Sequence, residues 1–398
     1  MSSGGRKVGL GVVGLGRAFT LMLPTFVRDA RFSLVAAATP GAEARAAFEQ
    51  DFGGTSYHDV DALCRDPAVE AVYVASPHQF HAEHVAIAAA CGRHVLVDKP
   101  LAVTMAEGER MVASAEAAGV HLVVGPSHSF DAPVLKAREI IASGEVGAPC
   151  MIHAMNYTDF LYRPRRPEEL DTRMGGGVVF SQAIHQIDVV RLLAGGCVTS
   201  VRALTGSWDR SRPTEGAYSA LLEFEGGAFA SLTYSGYGRF DSDEMMDWVS
   251  ELGKRKNPDD YGGARRNLRK SRTPDEEAAL KRARNYGLAD TSTFTDAPLP
   301  DAHEHFGVVI VSCERGDLRL KADGVMMYLD GEKRFEPLPP PSIPRIEVMD
   351  ELYDAVVGDT APLHSGAWGL ASLEAAVAII DSAASRRAIA MRRQVGTR

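Results

Sequence analysis

Apolar and polar positions follow two different rhythms along this chain, and the change of rhythm divides it. Over the first third, short apolar runs at 8–13, 33–38, 71–75, 94–97 and 120–124 are separated by amphipathic stretches at 42–52, 82–91 and 106–118. Runs that are apolar on both faces predict parallel strands buried between helices. Strict alternation of strand and helix predicts right-handed crossovers and a doubly wound parallel sheet. Residues 1–126 are therefore expected to form one α/β domain.

The pattern changes at Ala132. A helix at 133–143 ends at Gly144, and longer alternating segments at 150–157 and 217–234 predict antiparallel strands of a second, large open sheet. A helix at 175–193, entered through a glycine run, interrupts them. Residues 241–302 predict a polar, largely helical insertion, 336–344 (EPLPPPSIP) a stiff connector, and 347–357 and 368–387 two closing helices. The fold class is thus α/β: a parallel-sheet domain followed by a second α/β domain, 127–398, with a mostly antiparallel sheet. The closing helices are expected to pack back on the first domain.

Composition narrows the function. The 398 residues carry a formal net charge of −9, so no overall positive field collects phosphates, which argues against a nucleic-acid partner. The five cysteines are scattered, odd in number and form no CxxC pair, which fits reduced thiols in the cytoplasm better than disulfides or zinc. The polar N-terminus has no signal-like apolar stretch, and no apolar run long enough to span a bilayer is expected. His303 and His305 have no companion ligands at good spacing, so no metal is expected.

Candidate chemistry begins at Val12-Val13-Gly14-Leu15-Gly16-Arg17-Ala18-Phe19, directly after a strand and opening a helix. Gly14 permits a tight turn, and Gly16 lets backbone amides approach a pyrophosphate at the positive end of the helix. Phe19 stands where a third Gly or Ala is usual, and a glycine-rich turn occurs in many α/β proteins. The strand–turn–helix context favours a Rossmann dinucleotide site. Thr39, followed by Pro40 and Gly41, occupies the place of the acid that would grip the adenosine ribose, which leaves NAD and NADP both open. Ser76-Pro77-His78-Gln79-Phe80-His81 and Asp98-Lys99-Pro100 follow later strands, where a cofactor would lie. The cofactor-facing candidates are Gly14, Gly16, Arg17, Ala18, Phe19, Thr39, Ser76, Pro77, His81, Lys99 and Pro100, and the Lys99–Pro100 bond is a candidate for cis geometry. His78 reads as a polar loop cap.

In order, GLG, SPHQFHAEHV, VDKPL, VVGPSHSFDAPV and GGGVVFSQAIHQID resemble the Gfo/Idh/MocA family of oxidoreductases over nearly the whole chain. The resemblance implies a Rossmann domain plus an α/β domain whose open sheet often makes oligomer contacts, hence a homo-oligomer, dimer or tetramer. It also implies that Lys99 matches the family's EKP lysine, with Asp98 in place of Glu. His185 matches the family's later histidine, and Asp188 the acid one turn on. The family's frequent catalytic Asp is Ser181 here, leaving Lys99 and His185 as the proton-handling pair and Ser181 and Gln182 as hydrogen-bonding partners. Spacings of four and three put Ser181, His185 and Asp188 on one helical face. A core histidine with a helical acid partner would show the same spacing.

Four arginines lie between the first strand of the second domain and that helix, in YRPRRPEELDTR. Arg163, Arg165 and Arg166 are candidates to grip a carboxylated, anionic small molecule through bidentate forks, and Tyr162 to offer a flat face. A surface loop pairing its arginines with Glu168, Glu169 and Asp171 is the competing reading. YRPRRPEELDT, HFGVVIVSCERGDLR and HSGAWGLASLEAA further resemble dehydrogenases of the phthalate cis-dihydrodiol type. That resemblance implies oxidation of a carboxylated cyclohexadiene cis-diol to a catechol, with Lys99 or His185 taking the hydroxyl proton and burial lowering the lysine's affinity for its own. A polyol dehydrogenase and a non-catalytic nucleotide-binding regulator are the alternatives.

Overall fold

The computed structural model describes residues 6–271 and 273–397. Two compact units emerge. The first comprises everything described up to Pro126 together with Ala279–Leu299 and Ile343–Leu370; the second comprises Ser127–Ala278, Pro300–Ser342 and the described residues from Ala371. Part of the insertion and the first closing helix thus group with the first unit, and the remainder of 127–398 with the second.

The sheet of the first unit is built from β1 (Val8–Val13), β2 (Phe32–Ala38), β3 (Thr55–Tyr57), β4 (Ala71–Val74), β5 (His94–Val97) and β6 (Leu122–Val124), in the order β3-β2-β1-β4-β5-β6. All its pairings are parallel. Every residue of β1 and β4 is buried, and each fully buried Val or Leu contributes about 1.5–3 kcal/mol. The order reverses between β1 and β4, a topological switch point of the kind where open α/β sheets bind ligands beyond the carboxyl ends of their strands. β3, polar and three residues long, has no apolar run to announce it.

The second unit holds nine strands: β7 (Pro149–Tyr157), β8 (Val198–Gly206), β9 (Ala217–Phe224), β10 (Phe229–Ser235), β11 (Val308–Cys313), β12 (Gly316–Lys321), β13 (Gly324–Leu329), β14 (Lys333–Pro337) and β15 (Ile389–Ala390). Their order is β14-β13-β12-β11-β7-β10-β9-β8-β15. The central pair, β7 and β10, is parallel; the other pairings are antiparallel. The expected segment 217–234 is a hairpin, reversed at Gly226 and Gly227 with φ of +86° and +92°. Tyr218, Ala220, Leu222 and Phe224 point inward along β9 while Ser219, Leu221 and Glu223 face out, as the two-residue period demands. Helices Ala132–Ala142 and Ile184–Ala194 pack on this sheet.

The predicted helix 175–193 starts late. Gly175 and Gly177 take φ of +78° and +79°, a π-helical turn covers Val179–Ala183, and the α-helix begins at Ile184. A Cβ on Gly177 would lie 2.0 Å from a carboxylate oxygen of the buried Glu215. That carboxylate accepts from the Val179 amide at 3.2 Å and from Thr172 and Thr214, and so anchors the turn. Helix Gly366–Ser385 is long and apolar enough to cross a membrane, contrary to the expectation of no such run, yet 61% of its most apolar window is buried in the protein.

Candidate active site

In the first unit the nucleotide turn has the form the sequence predicts. Gly14 sits at φ +93°, where a Cβ would meet the Ala75 carbonyl and the Ser76 amide at 2.9 Å. Gly16 caps helix Arg17–Arg28 without any side-chain hydrogen bond, and a Cβ there would face open space. The first-turn amides are therefore left to an external acceptor. Arg17 stands at this end, its pKa lowered to about 10 by burial and by repulsion from Arg284 and Arg345. The Arg17 guanidinium and an uncapped helix N-terminus suit a pyrophosphate. Ala18 is partly exposed in the same turn, whereas Phe19 is fully buried, edge-on to Tyr286 at 5.3 Å. The third fingerprint position is a packing position here, so only the backbone of Phe19 is left to a cofactor.

At the end of β2 the Thr39 carbonyl accepts from Arg45 at 2.6 Å, and the Pro40 carbonyl at 2.8 Å. Arg45, which sequence reading missed, closes the strand end where an acid is usual. Ser76 is buried and its hydroxyl meets His84 Nδ1 at 2.9 Å; Pro77 follows in the same loop. His81 is also corrected. It is wholly buried, with Nε2 2.9 Å from the Ser76 carbonyl and Nδ1 3.1 Å from that of Pro100. It bolts the Ser76 and Pro100 loops together rather than touching a ligand. Burial lowers its pKa, offset in part by Asp98. The Lys99–Pro100 bond is cis, and the Lys99 amide donates to Asp98 Oδ1 at 3.0 Å. Burial raises the Asp98 pKa against the pull of Lys99. Lys99 itself is half-buried rather than enclosed.

In the second unit His185, 8% exposed, opens helix Ile184–Ala194. Its ring lies 4.7 Å from that of His128 and 4.8 Å from Phe306. Phe306 stacks on Tyr234 at 5.9 Å, and Tyr234 on Tyr218 at 5.8 Å. Gln182 accepts from the Tyr234 hydroxyl at 3.3 Å, and the Tyr218 hydroxyl donates to Gln186 at 2.6 Å. A ladder of flat faces thus runs beside the two imidazoles. Ser181, half-buried, lies in the π-turn, so the single helical face expected for Ser181, His185 and Asp188 is broken between its first two members. Asp188 is corrected outright. It is 4% exposed, accepts from Ser372 and lies 4.0 Å from the fully buried Arg191. Its charge is committed to an internal pair.

The arginines divide. Burial opposes the charge of Arg163, but Glu251 and Asp159 outweigh it and raise its pKa; the contacts are 3.5 and 3.1 Å. Arg166 lies 3.1 Å from Glu168 and 3.5 Å from Glu169. Tyr162 donates to Asp209 at 3.0 Å while its face carries Arg265 at 3.9 Å. Arg163 and Tyr162 are thus held by partners inside and outside the loop, and Arg166 lies against two acids although its buried Nε has no hydrogen-bond partner among the described residues. Arg165 differs. Its guanidinium lies 3.5 Å over the Phe160 ring, its nearest carboxylate, Glu169, is 4.0 Å away, and its buried Nε has no hydrogen-bond partner. Burial pushes its pKa down to about 10.

Glu251, absent from the sequence candidates, is partly buried, its side chain 17% exposed. Desolvation works against its charge, but Arg163 and His128 outweigh it and lower its pKa. His128 and Asp131 share a 2.6 Å hydrogen bond, and together with Glu304 their donor atoms fall within 4.8 Å of one another. That spacing would admit a cation, but the short bond already joins two of the three, and we read the group as an ion pair. The enclosed cavity bounded by Asp131, Glu304, His305 and Phe306 measures about 20 Å³, room for a water and not for a ring.

A switch-point sheet with an open helix N-terminus at its first turn, joined to a domain carrying buried imidazoles and a cation, defines a nicotinamide-dinucleotide oxidoreductase. Residues 8–126 match the model of the oxidoreductase family with NAD-binding Rossmann fold, and residues 134–249 that of the GFO/IDH/MocA C-terminal domain. The chain is 48% identical over 373 residues, 94% of each chain, to 1-carboxy-3-chloro-3,4-dihydroxycyclohexa-1,5-diene dehydrogenase of Comamonas testosteroni. It is 31% identical over 196 residues, 49% of this chain and 57% of the other, to myo-inositol 2-dehydrogenase of Thermotoga maritima. A crystal structure from Bordetella bronchiseptica RB50, provisionally named a dehydrogenase, superposes with a TM-score of 0.91 at 41% identity, covering 97% of this chain and 100% of that one. The chain belongs to the Gfo/Idh/MocA family and is an NAD(P)-dependent oxidoreductase, as the ordered motifs lead one to expect.

Proposed function

We propose that the protein oxidises a carboxylated cyclohexadiene cis-diol of the phthalate-dihydrodiol type to a catechol. The observation that carries this reading is Arg165, a largely buried cation whose Nε has no hydrogen-bond partner and whose nearest carboxylate stands at 4.0 Å among the described residues. A substrate carboxylate would satisfy it by a charge-assisted fork. A neutral polyol would leave it uncompensated. The dehydrogenase from Comamonas testosteroni acts, by its name, on a diol of this chemistry.

The Gly14–Gly16 cradle and the uncapped helix end fit a dinucleotide, which supplies the hydride acceptor when bound. On this reading Lys99 and His185 are the proton-handling residues. One of them accepts the hydroxyl proton while the carbinol C–H bond gives up its electron pair, and the resulting ketone enolises to the aromatic ring. His81 keeps the Lys99 loop in register with the Ser76 loop. We assign the protein to the cytoplasm as a homo-oligomer, dimer or tetramer, with a small anionic substrate and neither nucleic-acid nor membrane partners. Outward Met151, Leu221, Phe229 and Ile310 on the nine-stranded sheet support the self-association, and light scattering behind a sizing column tests it.

The activity test mixes the purified protein with NAD or NADP, a panel of carboxylated and uncarboxylated cis-dihydrodiols, and myo-inositol. Absorbance of the reduced nicotinamide is then followed. Turnover confined to the carboxylated diols is expected. Preference for inositol transfers the assignment to polyols, and cofactor binding without turnover of any substrate transfers it to a regulator.

A further inference from the structure

His128 bonds Asp131 through Nδ1 at 2.6 Å, and both side chains are nearly buried. Burial opposes a charge on His128, yet Asp131 outweighs it, with help from Glu304 and Glu251, so the ring holds its proton more tightly than an ordinary histidine. The backbone N–H of the same residue points at Nδ1 of His185, 3.4 Å away. An N–H can donate only to a ring nitrogen that keeps its lone pair, so Nδ1 of His185 is bare and the proton of the neutral ring sits on Nε2. The His128 ring stands edge-on to that of His185 at 4.7 Å. Phe306 covers the other side at 4.8 Å and brings no charge. The chain uses the device elsewhere: His305 accepts the Gly307 amide on Nδ1 at 3.1 Å and meets the Val249 carbonyl through Nε2 at 2.9 Å.

We propose that His128, held by Asp131, is a positioning residue that fixes His185 as the neutral Nε2–H tautomer, a hydrogen-bond donor to the reacting oxygen rather than its base. The hydroxyl proton then passes to the amine of Lys99, the carbinol hydrogen leaves with its electron pair to the nicotinamide, and His185 keeps its own proton throughout. The catalytic half rests on the dehydrogenase reading above; the tautomer does not.

Two measurements separate them. In the full-length protein labelled with ¹⁵N-histidine, two-bond ¹H–¹⁵N correlation spectra report the tautomer of each ring, and the His185 signals are those lost in His185→Gln. The expected result near neutral pH is a protonated Nε2 and a bare Nδ1 on His185. A protonated Nδ1 on His185 overturns the proposal whatever the substrate proves to be. In turnover, His185→Gln keeps an amide donor and is expected to retain at least about tenfold more kcat than His185→Ala, since loss of a donor costs roughly 10²–10³. The acidic limb of the pH profile, where the base is lost to protonation, is expected to persist in the Gln variant. Equal loss in both variants with disappearance of that limb makes His185 the base and overturns the proposal. Should no substrate turn over, the spectra alone decide it.

Discussion

Replacing Arg165 by Met removes a charge at nearly constant volume, and the surroundings set what should follow. The folded protein holds this guanidinium at a pKa of about 10 against an ordinary value of 12.5, and its side chain is only 11% exposed. At about 1.4 kcal/mol per unit, keeping it charged costs the folded state roughly 3 kcal/mol. A folded pKa that is lowered for a cation means the penalty is fully present at neutral pH and is relieved only as pH rises through 10. Against it stand the 2.8 Å bond to the Phe160 carbonyl and the contact with the Phe160 ring, together worth about 2–3 kcal/mol. Arg165→Met is therefore expected to leave Tm unchanged or higher. Its effect belongs to the substrate: a charge-assisted carboxylate contact contributes about 1.5–3 kcal/mol, so KM for a carboxylated diol should rise roughly 10- to 150-fold with kcat nearly unaltered. The uncarboxylated diol should show no change. Steady-state kinetics on the two substrates, with a thermal melt, make the assay. A fall in Tm with KM intact would return Arg165 to the structural arginines and refute the reasoning.

Gly14→Ala should weaken NAD(P) binding at least about tenfold in a fluorescence titration and lower stability by more than ~1 kcal/mol, because the new Cβ meets Ala75 and Ser76 backbone at φ +93°; retained affinity would show that the turn does not cradle the dinucleotide. Asp188→Asn breaks the buried pair with Arg191 and should cost about 3–5 kcal/mol in denaturant melts, with KM unchanged for the folded fraction; a KM effect without destabilisation would put Asp188 back at the substrate. Glu251 has a folded pKa below its ordinary 4.5, so its stabilisation is present above pH 4.5 and is lost as pH falls through the lower folded value. Acid melts of Glu251→Gln should accordingly be flatter than wild type in that window, and parallel curves would contradict the pairing with Arg163 and His128.

The parallel sheet was legible because buried strands are apolar on both faces, and the Gly14–Gly16 turn because its residues serve backbone geometry. What escaped was pairing across long separations. Glu251 reaches Asn156 and Arg163 from far along the chain, and no local pattern marks it. The H-x-x-D spacing occurs three times, and two of its copies lie in the second unit, at His128–Asp131 and at His185–Asp188. Sequence reading joined the second pair, whereas the fold bonds the first and sends Asp188 to Ser372 and Arg191. The first pair bridges a one-turn segment and the start of a helix, where side chains three apart converge. In the second, the neighbouring His128 amide already occupies Nδ1 of His185. The spacing was the signal, and its burial context decided which copy used it.

The same accounting of partners distinguishes the competing substrates. Arg163 answers Asp159 and Glu251, Arg166 answers Glu168 and Glu169, and Arg212 answers Glu277 at 2.8 Å. Each buried or half-buried cation has an acid in contact, as the cost of an uncompensated charge requires. Of Arg163, Arg165 and Arg166, Arg165 has the most distant acid, at 4.0 Å, and its Nε, like that of Arg166, has no hydrogen-bond partner among the described residues. A protein selected only for stability would exchange such a residue for an apolar one of similar size. Its retention beside aromatic faces is intelligible if an anion completes the pair during turnover. A carboxylate on a flat, unsaturated ring answers both features at once, while an inositol ring is neutral and puckered and answers neither.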